Sequence, residues 1–221
     1  MQLPPAGSAA QTRVRYGTYV ARRLRRAKRK TLADDATLVT KNLRELSRAW
    51  EDTDDATQEA MADRDGADDD LDTTAQEARA ALAGRGVTAM NEEPYTLIFP
   101  DGISYYTAAP QDEEVKRYGE LSHRLTEHVG KDDPVRKKAV KEIAAGIEAY
   151  KASLVALDAA QTAESLVATR LTKATDAWER QMEKTYGALV SEVGRARAEG
   201  FFPRIKRNKV AKKTDDGAPP K

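Results

Sequence analysis

Val39, Leu43, Leu46, Trp50, Thr53, Thr57, Ala60, Arg64, Ala67, Leu71, Thr74 and Ala78 follow one another at alternating steps of four and three residues, and Leu82 adds a further step of four. That spacing puts them on one stripe of an α-helix, and over about six heptads it is the pattern by which long helices pair side by side. A second seam runs through Val140, Ile143, Ile147, Tyr150, Leu154 and Leu157, then continues with a wider stride through Ala174, Trp178, Met182, Tyr186, Leu189 and Val193. The wider stride approaches the period of a straight helix, so supercoiling should relax there. Two such seams in one chain predict an all-α fold, an elongated antiparallel coiled-coil or helical bundle.

Composition agrees with narrow interfaces between helices. Of the 221 residues 33% are charged and only 6% aromatic, which is thin material for one large globular core. There is no cysteine, so disulfides, thiolate chemistry and cysteine-bound zinc are excluded. The opening residues MQLPPAGSAA lack the basic start and apolar run of a secretory signal, and no apolar stretch approaches membrane-spanning length, so a cytoplasmic location is expected.

Local signals divide the chain. Residues 1–8 read as a flexible N-terminus. Residues 9–84 read as one long helix, or as two with a break at Thr31–Asp35, where Asp34 or Asp35 would serve as an N-cap. Gly84 and Gly86 end it. Residues 85–110 read as a β-hairpin insert, because Tyr95–Phe99 and Ile103–Thr107 are rich in β-branched and aromatic residues around the corner Pro100-Asp101-Gly102. Residues 111–130 form a short helix closed by Gly130. Asp132-Asp133-Pro134 then starts a long helix over 134–199, with an acid as cap and proline at the first helical position. Residues 200–221 form a basic, mostly disordered tail.

If the short helix runs on away from the first long one, residues 34–83 lie antiparallel to about 150–199 as a rod of about 75 Å. Trp178 then packs over Ala56 or Thr57.

The net charge of +1 conceals segregation. Arg22, Arg23, Arg25, Arg26, Lys28, Arg29 and Lys30 fall in a run without an acid, and a second basic run includes Arg204, Lys206 and Arg207. Between Glu51 and Asp72 acids dominate. Tyr16, Val20, Leu24 and Ala27 share a helix face that would pack on the rod; the charge blocks read first as solvated faces that keep a rod soluble, and second as surfaces for an acidic partner.

No chemistry-bearing pattern survives inspection. Asp63-Arg64-Asp65-Gly66-Ala67-Asp68 places glycine at the fourth position of a would-be calcium loop, where an EF-hand needs it at the sixth. Glu120-Leu-Ser-His123 has di-iron spacing but lacks a second copy, and His123 is better read as a partner of Glu127 one turn on. Neither a phosphate-cradling glycine loop nor a nucleophile elbow is present. No cofactor, metal or small-molecule substrate is therefore expected, and no enzymatic activity.

The leading expectation is a structural or adaptor protein that binds a protein partner or itself. Strand alternation would turn Ile98 and Tyr106 outward as its anchors. The runner-up is a nucleic-acid-associated protein working through its basic terminal pole. Membrane-surface binding comes third, because Phe201-Phe202 sits beside a polybasic tail.

Overall fold

The structure is a computed structural model, and it describes residues 1–204. In chain order the helices are α1 (Ala10–Arg26), α2 (Lys30–Ala83), α3 (Tyr95–Ile98), α4 (Ser104–Thr107), α5 (Glu114–His128), α6 (Pro134–Val193) and α7 (Arg195–Glu199), with one 3₁₀ turn at Ala89–Asn91. No strand occurs among the described residues. The described residues form two compact units, 1–50 with 167–204, and 51–166; α2 and α6 contribute to both.

In the second unit the seam of α2 buries Leu71, Ala75, Ala78 and Leu82 against Ala139, Ile143 and Tyr150 of α6 and Tyr118, Leu121 and Leu125 of α5. Each fully buried large apolar side chain contributes about 1.5–3 kcal/mol. Alanines on α2 and Gly146 on α6 allow close approach: a Cβ on Gly146 would stand 2.7 Å from Leu71 Cδ2. The expected cap is present, with Asp133 Oδ1 accepting from the Val135 amide at 2.9 Å, ahead of Pro134. Asp133 also meets Arg85 at 2.6 Å, and Lys138 donates to Glu77 at 2.7 Å, so α6 begins beside the end of α2.

That pairing overturns the register expected from sequence. The short helix does not run on away from α2. Residues 84–113 lead back along it, so that Tyr118 of α5 donates to Asp72 of α2 and the α5 end, through Val129, accepts from Arg136 of α6. Because residues 84–133 return to the end of α2, α6 pairs with α2 from that end.

The hairpin is also corrected. Residues 95–98 and 104–107 are single helical turns whose amides bond locally, Phe99 N to Tyr95 O at 2.9 Å and Ala108 N to Ser104 O at 3.1 Å. The corner between them is real, with Gly102 at φ 78. The apolar face of α5 decides the outcome. A ladder would turn alternate side chains away from it, whereas two short turns lay Ile98, Phe99 and Tyr106 onto it together. Tyr106 OH then donates to Ile98 O at 2.9 Å and pins one turn to the other.

In the first unit α1 packs its Tyr16, Val20 and Leu24 face on Leu43 of α2 and Trp178, Met182 and Leu189 of α6. The break between α1 and α2 falls at residues 27–29 instead of 31–35. Lys28 takes the left-handed conformation (φ 56), Arg29 N bonds Leu24 O at 3.0 Å, and Lys28 N bonds Arg25 O at 3.1 Å. This paired closure satisfies the last carbonyls of α1 and needs no acidic cap on α2. Asp34 lies inside α2 and pairs with Arg25. Gly194, at φ 73, interrupts the last helix before α7. Arg13 is buried, bonded to Glu179 at 2.9 Å and to the carbonyls of Pro5, Ala6 and Ser8.

Candidate functional site

The three-residue corner folds α2 back on α1 and brings their polar faces together. Arg22, Arg25 and Arg26 recur at three- and four-residue steps on α1, and Lys41 and Arg44 at a three-residue step on α2, so each set shares one stripe. With Thr18, Ala21, Thr37 and Thr40 these five cations line a groove of about 650 Å³. No carboxylate lines it. The acids nearest in pairing, Asp34 on Arg25 at 3.3 Å and Glu45 on Lys41 at 3.6 Å, are exposed, and such pairs contribute about 0–1 kcal/mol. They are easily exchanged for a stronger anion.

The floor is better fixed than the rim. Arg44 Nη2 reaches across to Thr18 Oγ1 at 3.2 Å. Thr18, Thr37 and Thr40 each donate their hydroxyl to the carbonyl four residues earlier, at 2.8, 2.6 and 2.7 Å. Beneath Thr40 lies Trp178, whose indole donates to Thr40 Oγ1 at 3.2 Å.

The other basic residues are dispersed. Arg23 donates to Gly200 O at 3.2 Å, Arg29 pairs with Glu192, and Lys28 and Lys30 are exposed at the corner. Arg204 lines a separate cleft with Tyr19 and Phe202. Lys206 and Arg207 lie outside the described residues. Phe202 is buried between Tyr16 and Tyr186, capping the helices.

Ile98 and Tyr106, expected to face outward, are 0% and 1% exposed. They belong to the core of the second unit and present nothing to a partner. Lys41 and Arg44 escaped the sequence reading. Their signal was their spacing, which acquires meaning only once the corner is placed at residues 27–29.

A second polar cluster lies in the second unit. Glu114 is buried, its Oε1 has no hydrogen-bond partner, and it faces Asp68 and Asp72 of α2 and Tyr150 of α6. Burial, then Asp68, pushes its carboxyl up to about 7. Burial also raises Asp72, against the opposing bond from Tyr118. Among the described residues no group of three or more acids or histidines is arranged to hold a metal ion, and His123 stands 3.5 Å from Glu127. No described helix is long and apolar enough to cross a membrane.

Comparison with known protein families, with curated proteins and with solved structures finds no match to this chain.

Proposed function

We propose that this is a non-enzymatic, nucleic-acid-associated protein that seats a phosphate backbone in the groove between α1 and α2. The observation that carries the reading is the convergence of four guanidinium groups and one ammonium on a single recess lined by no acid. Clustered cations of this kind raise the local concentration of anions and release condensed counterions when a polymer binds. The test is fluorescence anisotropy of a labelled 20-nucleotide strand with the full chain. Binding is expected at 50 mM salt and should weaken steeply by 200 mM. Replacing Arg22, Arg25 and Arg26 with glutamate should remove most of it, and a protein that binds no strand even at 50 mM salt would refute the reading.

A different observation favours a structural or adaptor role through protein contact or self-association. Val87, Met90 and Leu97 are exposed on the segment between α2 and α4 of the second unit, 104%, 46% and 39% respectively. Exposed apolar side chains close in sequence are suited to a protein interface. Sedimentation of the chain with these three changed to serine tests it, an unchanged oligomeric state counting against self-association there. The aromatic anchor first assigned to this role is buried, so the basic groove is the better supported of the two surfaces.

A further inference from the structure

We infer that the groove recognises the sugar-phosphate backbone alone and accepts every base sequence equally. The inference rests on the nucleic-acid reading above and deepens it.

Three features of the groove lead there. It holds no aromatic side chain, and stacking on an aromatic ring is how single-stranded bases are gripped. Its hydroxyls are committed: all three threonines donate to their own helix, Thr18 also accepts from Arg44, and Thr40 also accepts from Trp178. What remains is a set of cationic donors with almost no acceptor to meet the amino groups of adenine or cytosine; the one base edge such donors read, guanine O6 and N7, is left to the shape of the groove to exclude. Its shape completes the case. Base edges of a duplex lie at the bottom of a groove, where only a protruding helix or strand reaches them, whereas a recess between two helices receives the convex ridge of a backbone.

Size sets the scale of the effect. The lining residues span Thr18 to Arg26 on α1, about 12 Å of helix, so a short stretch of backbone fills it. Five cations limit the groove's share of the salt slope to about −3.5 on a single strand and about −4.5 on a duplex.

The experiment titrates the full chain with labelled 20-mers of oligo-dT, oligo-dA, oligo-dC, mixed-sequence DNA and mixed-sequence RNA, at several salt concentrations. A second protein carries Arg22→Gln, Arg25→Gln and Arg26→Gln; all three positions are exposed and glutamine keeps helix propensity, so the fold is retained. Expected are affinities within about threefold across all probes, a loss of at least tenfold in the variant that is equal for each, and a salt slope shallower by about 2. Comparing the two proteins cancels any share contributed by the basic tail. In a Trp50→Phe background the emission of Trp178, beneath Thr40, should respond to the strand and not in the glutamine variant. Tripolyphosphate should displace the strand only at far higher concentration, because it lacks the polymer's released counterions. A preference above tenfold for one base composition overturns sequence-neutral recognition while leaving the groove as the site. Unchanged binding by the glutamine variant removes the groove itself, and no binding by either protein removes the nucleic-acid reading. Displacement by tripolyphosphate at equal phosphate concentration makes a small polyphosphate the occupant and overturns the inference.

Discussion

Trp178 donates its indole N–H to Thr40 Oγ1 across 138 residues of sequence, at 3.2 Å and fully buried. The ring also meets Tyr16 edge-on at 5.7 Å, so one side chain joins α1, α2 and α6. Truncating it removes transfer energy, leaves a cavity and deletes the hydrogen bond that Thr40 Oγ1 accepts. Trp178→Ala is expected to cost about 3–5 kcal/mol in urea unfolding. A loss below about 1 kcal/mol would mean that the three helices hold together without it.

Close approach at Gly17 follows from the same contact. A Cβ there would run into Thr40 Oγ1 and stand 2.7 Å from Trp178 Nε1, and neither atom is the free end of a flexible chain. Gly17→Ala should therefore destabilise by about 1–3 kcal/mol. Gly66 is also within a helix, yet a Cβ there meets nothing within 4 Å. Gly66→Ala should stabilise by up to about 1 kcal/mol. Opposite signs in thermal melts check the pair.

Glu114 makes stability depend on pH. Its folded carboxyl titrates at about 7 against an ordinary 4.5, so the native state holds a proton that the unfolded chain has released. Stability from this group is fully present below about 4.5 and is lost as pH rises through about 7. The groups facing it are Asp68 and Asp72 from α2, Tyr150 from α6 and Tyr118 on its own helix. Denaturant midpoints should fall between pH 5.5 and pH 8, by an amount worth about 1–2 kcal/mol. Glu114→Gln should flatten that fall. A wild-type midpoint that rises over this range would contradict the assignment.

The pair Ile98 and Tyr106 gives the sharpest contrast with a surface role. Changing both to serine would leave melting nearly untouched if they faced solvent. Buried as they are, with Tyr106 OH on Ile98 O, the double variant should lose at least about 4 kcal/mol and unfold the second unit in mild denaturant. Urea melts followed by tyrosine fluorescence and circular dichroism decide between the two.

Helix and its faces were legible because spacing is a property of sequence alone. The seam positions from Val39 to Leu82 are buried or half-buried throughout, and Asp133-Pro134 caps α6 as its residue types require. Tyr95–Thr107 misled because β-propensity describes a half-buried pleated surface, and the surface offered here is the side of α5. The α1–α2 break was placed late because its left-handed residue is Lys28, where a glycine or asparagine would have marked it. Trp178 was assigned to Ala56 or Thr57, and its partner is 16 to 17 residues earlier (56 or 57 minus 40). That error came from the direction of the returning segment, which no spacing encodes. Of the candidate site, Arg22, Arg25 and Arg26 were found by charge, while Lys41 and Arg44 needed the corner.

The corner at residues 27–29 also orders events in time. Both walls of the groove come from residues 18–44, joined by a minimal connection, and contacts so local close with little entropy loss and form fast. The aromatic beneath them arrives from far along the chain. On a ribosome, where the N-terminal part emerges first, α1 and α2 are both made while α6 is still unmade, so Val20, Leu24 and Leu43 lack their α6 cover. The cationic walls are synthesised first and their tryptophan floor last, so a nascent chain carries both rows of cations before it has the core beneath them.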